Sequence, residues 1–225
     1  MVSVPDGALN FRHPLPGLYR SGNLSRLTER GQAELLALGL GRIVDLRNRA
    51  EREVDAPPFL GRTEYLNLPL LPYRNQALNA ASAVAAGNAD FYRTYLEHAA
   101  NHVTVVLGAL LDAPPGPVLI HCHAGKDRTG LIAALCLELC GTPRGQIAGD
   151  YAASGLALVD FYAEWRRRKV PGAWAREAPF AVSRPVDILA ALQYLDTQWN
   201  GLCAYLSAFG FSSREQGRLR ARLLM

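Results

Sequence analysis

The amino-acid sequence predicts an α/β fold, with a mostly parallel central sheet flanked by helices and a helical C-terminal half. Three observations carry this. Short apolar, β-prone runs at 43–46, 65–68 and 118–120 alternate with segments of helical character. After Gly141 every segment reads as helix. The 225 residues contain no repeat and no low-complexity tract, which implies one domain, 1–225, with a substantial core.

The elements follow in order. Residues 31–40 read as a helix, 43–46 as a strand, and Pro57-Pro58 as a turn. Residues 65–68 read as a further strand. The stretch 77–89 is Ala-rich with Asn and Gly interruptions, so it is either a mobile loop or a frayed helix. Residues 90–111 predict one long helix with a bend near Asn101. The turn Ala113-Pro114-Pro115-Gly116-Pro117 introduces a buried strand at 118–120. Residues 131–140 are apolar on most sides and read as a buried helix, stopped by Gly141 and Pro143. Helices then follow at 144–151, 158–169 and 185–199, with a last one from Ser213. Ser183 or Arg184 precedes Pro185, which suits a first helical turn. The segment 155–182 carries Phe161, Tyr162, Trp165 and Trp174, and is either ordinary helix packing or a helical lid insertion.

Composition bounds the function classes. A hydrophobic content of 49% with 20% charged residues is that of an ordinary globular protein, and no apolar run is long enough for membrane insertion. The start Met1-Val2-Ser3-Val4-Pro5-Asp6 lacks the features of a signal peptide. A net charge of +4 favours anionic substrates but is too small to imply nucleic acid. The run Arg166-Arg167-Arg168-Lys169 is either a solvated helix end or a basic rim for phosphoinositide headgroups or acidic phosphopeptides. Cys122, Cys136, Cys140 and Cys203 show no metal-ligand spacing, so no metal or other cofactor is expected. Cys136 and Cys140, one helical turn apart, read as small core residues. A reducing, cytoplasmic setting suits a working thiol.

The segment Val118-Leu119-Ile120-His121-Cys122-His123-Ala124-Gly125-Lys126-Asp127-Arg128-Thr129-Gly130 holds the chemistry. A strand, a cysteine, five residues, an arginine and a helix place a thiol beneath a helix N-terminus. The open N–H groups and dipole there attract a phosphate-sized anion and, with a neighbouring cation, favour the nucleophilic thiolate. Cys122 is therefore the expected nucleophile. The loop His123, Ala124, Gly125, Lys126, Asp127, Arg128 and Thr129 is the expected phosphate cradle. Arg128 offers a fork of donors to two phosphoryl oxygens, and Gly125 lets the backbone curl inward. The Thr129 hydroxyl can serve the sulfur, and His121 is expected to support the loop through a backbone hydrogen bond.

These residues carry a resemblance. His121-Cys122-X5-Arg128-Thr129-Gly130 resembles the active-site loop of the cysteine-based protein tyrosine phosphatase superfamily. The fuller form, His-Cys-His-Ala-Gly-Lys-Asp-Arg-Thr-Gly, is similar to a bacterial and fungal branch that includes secreted mycobacterial and Listeria tyrosine and lipid phosphatases. Asn10-Phe11-Arg12, Leu18-Tyr19-Arg20-Ser21-Gly22, Leu38-Gly39-Leu40 and Ile43-Val44-Asp45-Leu46-Arg47 resemble its N-terminal blocks. Asp150-Tyr151 with Ser154, and the stretch from Tyr205-Leu206 to Leu219-Arg220, resemble its C-terminal blocks. His13-Pro14-Leu15-Pro16-Gly17 stands where that branch has a glycine pair. The resemblance implies a phosphotyrosine-protein phosphatase with dual-specificity or phosphoinositide activity. It also implies a phosphocysteine intermediate, a lid at 155–182, and the option of export without an obvious signal.

Three aspartates compete to be the general acid. Asp45 ends a strand, where the active-site groups of α/β sheets gather, although it can equally pair with Arg47. Asp127 lies inside the loop, at an offset from the cysteine that some phosphoinositide phosphatases of the superfamily use. Asp90 is the third. Lys126 is either a second cation for a neighbouring phosphate on an inositol ring or a partner for an acid. Rival functions are a phosphatase of small phosphorylated metabolites, a phosphate-binding module without turnover, and a sulfurtransferase. The oligomeric state stays open.

Overall fold

A computed structural model describes residues 3–71, 75–170 and 172–225 of the chain. Met1 and Val2, on which the signal-peptide expectation partly rests, lie outside the described residues, as does Pro171 within 155–182. Five strands form one sheet in the order β1-β2-β5-β3-β4: β1 (Arg12–Leu15), β2 (Leu18–Ser21), β3 (Arg42–Asp45), β4 (Tyr65–Asn67) and β5 (Val118–His121). Only the β1–β2 hairpin is antiparallel. Strand β5 lies between β2 and β3, with Ile120 paired to Arg20 and Val44. Parallel pairing on both sides buries β5 completely, which explains its unbroken apolar run.

Successive residues of the strands point to opposite faces. Leu18, Val44, Val118 and Ile120 face the larger core, built with α4 (Asn88–His98), α5 (Ala100–Leu111), α6 (Asp127–Leu139), α7 (Arg144–Ala157), α10 (Pro185–Trp199), α11 (Leu202–Ala208) and α12 (Ser213–Leu223). Tyr19, Ile43 and Leu119 face a smaller one under α1 (Glu29–Leu36). Helix α6 is buried along nearly its whole length, so it needs apolar residues on every side. Three further helices lie near the carboxyl ends of the strands: α2 (Arg49–Val54), α8 (Val159–Arg168) and α9 (Ala173–Ala181). Helix α3 (Gln76–Val84) packs on α4.

The structure revises several element boundaries. The 31–40 helix begins earlier, because the Thr28 hydroxyl caps Gly31 N at 3.1 Å, and ends before Gly39, which takes φ +66°. Residues 90–111 form two helices, not one, broken at Ala99; α4 packs on α10 and α3, whereas α5 packs on α12. The 77–89 stretch is largely helix, capped by the Asn75 side chain on Leu78 N at 3.0 Å. The 131–140 helix starts at Asp127, inside the loop. Strands β1 and β2 went unread, and the proline-rich departure at 13–17 proves to be the end of β1 and its turn. Pro14 is tolerated there because β1 is an edge strand. Helix α11 was also unread, set off by Gly201 and Gly210, both at positive φ. Among the described residues, no helix is long and apolar enough to cross a membrane.

Candidate active site

Cys122 follows the central strand directly and is 2% exposed. The loop after it is tethered by its carbonyls. Asn23 N donates to His123 O at 2.8 Å, Asn10 Nδ2 to Ala124 O at 3.1 Å, and Arg20 Nη2 to Gly125 O at 2.7 Å. Among the described residues all peptides are trans, so each carbonyl turned outward directs the next N–H the opposite way, into the loop. Gly125 takes φ +70°, and a Cβ there would lie 2.4 Å from Ser21 O. Helix α6 then starts with no side-chain cap, which leaves its first N–H groups open to an anion.

The tethers form a network that the sequence did not disclose. Arg20 is fully buried, and its guanidinium is held by Asp150, which also binds Arg12 at 2.7 Å. Ser154 accepts from both Asn10 and Arg12. Two blocks more than a hundred residues apart thus meet behind the loop.

Arg128 makes a two-pronged pair with Glu51, Nη1 to Oε2 at 2.6 Å and Nη2 to Oε1 at 2.5 Å, and Nη1 also reaches Leu46 O at 3.3 Å. Burial alone disfavours the Arg128 cation, but Glu51 and the nearby Cys122 outweigh it and hold the guanidinium firmly protonated. Burial likewise opposes the Glu51 charge, and Arg128 reverses that effect, so its pKa lies below the ordinary value. Glu51 was missed as a site residue. Its capping box with Asn48 was readable from Asn-x-x-Glu, but its reach to Arg128 was not.

The three aspartates separate clearly. Asp45 does not face the cavity. It is fully buried, its carboxylate receives Arg47 Nε and Nη2 at 3.0 and 2.8 Å and Tyr65 Oη at 2.7 Å, and its backbone oxygen receives Asn67. Burial opposes its charge, but His121, Arg47 and Tyr65 together hold its pKa below the ordinary value. Asp90 accepts from Ala86 N at 3.2 Å at the start of α4 and is also outside the cavity. Asp127 lines the cavity; its Oδ1 accepts from Tyr92 Oη at 2.7 Å and lies 3.1 Å from Lys126 Nζ.

Lys126 and His121 are both fully buried. The Lys126 side chain is not among those lining the cavity and donates to Asn88 Oδ1 at 3.3 Å, Val182 O at 2.9 Å and Phe180 O. These bonds commit its ammonium to protein acceptors in this arrangement. The His121 ring interacts with the backbone of Cys122, at the start of the loop, and lies 3.7 Å from Asp45 Oδ2. Burial lowers its pKa to about 4, so the ring is neutral at pH 7, and at that pH Arg47 and Tyr65 are what keep Asp45 ionised. The buried Thr129 hydroxyl has no hydrogen-bond partner among the described residues. His123 stacks edge-on to Phe161 and Trp165, with ring centroids 5.6 and 5.3 Å away.

The cavity above Cys122 measures about 410 Å³. Its floor is Cys122, Ala124 and Arg128. Its walls include Phe91 and Tyr95 of α4, and Phe161, Tyr162 and Trp165 of α8. Trp174, Glu177 and Phe180 of α9 complete it, so part of 155–182 covers the site. The basic run is divided: Arg168 pairs with Glu164, and Lys169 pairs with Glu177 at 2.6 Å while lying 5.1 Å from the Trp165 ring.

The chain is similar to several known proteins. A tyrosine-protein phosphatase of Nostoc commune is 31% identical, covering 93% of this chain and 75% of its own length. The triple specificity protein phosphatase PtpB of Mycobacterium tuberculosis is 29% identical, covering 97% of each chain. The crystal structure of P. aeruginosa TpbA aligns with a TM-score of 0.43 and 25% identity, over 76% of this chain and 91% of that one. The model of the tyrosine phosphatase family matches residues 16–225, and the chain belongs to that family.

Proposed function

We propose that the protein hydrolyses phosphotyrosine in protein substrates through a phosphocysteine intermediate. The observation that carries this is the placement of Cys122 and Arg128 on the floor of an aromatic-walled cavity with Asp127 on its side. The phosphoryl oxygens take the loop N–H groups and Arg128. The Cys122 sulfur attacks phosphorus in line, forming the S–P bond as the P–O bond to the substrate breaks. Asp127 gives its proton to the departing oxygen. Water then attacks phosphorus, Asp127 takes back a proton, and the thiolate leaves while inorganic phosphate departs. The unpartnered Thr129 hydroxyl is available to the sulfur at both steps.

Aromatic walls favour an aryl phosphate. Among the described residues, the cavity lining holds one guanidinium, Arg128, beside the carboxylates of Glu51, Asp127 and Glu177. Neighbouring phosphates on an inositol ring would face those carboxylates, which argues for phosphotyrosine over phosphoinositides or small polyphosphorylated metabolites.

Two variants and a substrate panel test this. Cys122→Ser should abolish turnover of p-nitrophenyl phosphate and keep phosphotyrosine-peptide binding; retained turnover rules out the nucleophile. Asp127→Asn should cost about 10²-fold or more on alkyl phosphates and far less on p-nitrophenyl phosphate, whose leaving group needs little help. A panel in which a phosphoinositide exceeds every phosphotyrosine peptide in kcat/KM would overturn the substrate assignment.

A further inference from the structure

The least expected side chain in the site is Lys126. Its ammonium has three N–H donors, and three hydrogen bonds use them: to Asn88 Oδ1, Phe180 O and Val182 O. The two carbonyls belong to the C-terminal end of α9, where orphan carbonyls and the helix dipole attract a cation. Asn88, itself fully buried at the start of α4, donates to the same Val182 O at 2.7 Å. Phe180 meets Phe91 edge-on at 6.0 Å. The covering helix is thus clasped to the loop at one end by a lysine adjacent in sequence to Asp127.

Asp127 Oδ1 forms an ion pair with that ammonium at 3.1 Å, while the three N–H donors are directed to Asn88, Phe180 and Val182. Asp127 Oδ1 also receives a hydrogen bond from Tyr92. The phenols near Asp127, those of Tyr92, Tyr95, Tyr151 and Tyr162, are held neutral by burial. Lys126 is therefore the nearby cation able to change its hold on Asp127 without Arg128 leaving the phosphate.

We infer that Lys126 is a positioning residue whose grip on the acid tightens when α9 lifts off the cavity. This rests on the assignment of Asp127 as the acid. With α9 docked, the Lys126 N–H donors serve the carbonyls of Phe180 and Val182, and Asp127 meets the ammonium only as a charge 3.1 Å away. With α9 lifted, two donors are released 3.1 Å from Asp127. A lysine hydrogen-bonded to a carboxylate keeps it ionised, and an ionised carboxylate has no proton to give. A substrate that packs against Phe180 and Trp174 holds α9 down, so occupancy and acid supply are coupled. Substrates too small to touch α9 receive less help from the acid.

The test uses the full chain and two esters, a phosphoserine peptide as the alkyl phosphate and p-nitrophenyl phosphate as the activated aryl one. Asn88→Ala unclasps α9 while leaving Lys126 in place. It should lower kcat/KM for the alkyl ester by about tenfold or more and change that for p-nitrophenyl phosphate by less than about twofold. Trypsin should cleave at Arg176 faster. Adding Lys126→Met to Asn88→Ala should restore alkyl turnover, because nothing then holds the carboxylate ionised. If Asn88→Ala does not fold, Asn88→Ser, whose side chain is too short to hold Val182 O, makes the same comparison of alkyl to aryl turnover alone and with Lys126→Met. Equal losses on both esters, no recovery in the double variant, or an alkyl-specific loss in Lys126→Met alone would overturn the inference. An Asp127→Asn protein with an unchanged alkyl-to-aryl ratio would instead refute the acid assignment beneath it.

Discussion

Replacing Glu51 with alanine strands the Arg128 guanidinium, and the cost can be worked out. Two charge-assisted hydrogen bonds, at 2.6 and 2.5 Å, disappear. Such bonds contribute about 1.5–3 kcal/mol each, and removing one partner of a buried pair costs about 3–5 kcal/mol. Here the Glu51 side chain is 23% exposed and Arg128 keeps Leu46 O at 3.3 Å, both of which reduce the loss. The expected destabilisation is about 2–3 kcal/mol, including the lost capping contact to Asn48. For a chain of this size that lowers Tm by roughly 5–10 °C. Thermal denaturation followed by circular dichroism reads it, and added inorganic phosphate should raise Tm more in the variant than in the wild type, because phosphate replaces the missing carboxylate. The pH dependence has a definite sign. The folded-state pKa of Glu51 is depressed, so its contribution is complete above the ordinary value of 4.5 and disappears as pH falls through the folded value. The gap between wild type and variant should therefore close on acidification. A Tm drop under about 2 °C at neutral pH, or a gap that fails to narrow as pH falls below the ordinary value of 4.5, would refute the reasoning.

Asp45→Asn should destabilise the fold by about 3–5 kcal/mol, because Arg47 loses its charge partner where both side chains are fully buried. Its ratio of alkyl to aryl phosphate turnover should match the wild type, and a collapsed ratio would reinstate Asp45 as the acid. Gly125→Ala should cut kcat on p-nitrophenyl phosphate by about 10²-fold or more, since φ +70° and a Cβ 2.4 Å from Ser21 O force the cradle open; activity near wild type would show that the loop tolerates the shift. His121 is buried neutral with a pKa of about 4 against an ordinary 6.5, so its contribution is complete above pH 6.5 and is lost on acidification toward pH 4. That loss is about 3 kcal/mol by linkage. Denaturant titrations across this range should show the slope, and His121→Gln should flatten it.

The legible part of the site was the part written in consecutive residues. A strand, a cysteine and a helix in sequence placed Cys122 and Arg128 together, and the family blocks at Asn10, Arg12, Arg20, Asp150 and Ser154 were visible as patterns. Their purpose was not visible. They converge on the carbonyls of Ala124 and Gly125 through contacts spanning more than a hundred residues, which no local pattern encodes. Glu51 was hidden for the same reason, since a capping box accounts for it without reference to Arg128.

Directions of side chains were the other blind spot. Asp45 and Lys126 both had the right charge and the right neighbourhood for roles on the substrate. Asp45 turned to Arg47 and Tyr65 because a carboxylate at the end of an inner strand is buried and must be paired. Lys126 turned to the end of α9 because three carbonyl-type acceptors converge on its buried ammonium.

The sequence alone determined the α/β class and the placing of Cys122 and Arg128 together at the start of a helix, because these follow from apolar periodicity and from residues a few positions apart. Only the tertiary structure decided which of the candidate aspartates lines the cavity, what holds Arg128, and which acceptors the Lys126 ammonium takes. Those outcomes depend on competition among donors and acceptors from distant segments, and that competition exists only once the chain has packed.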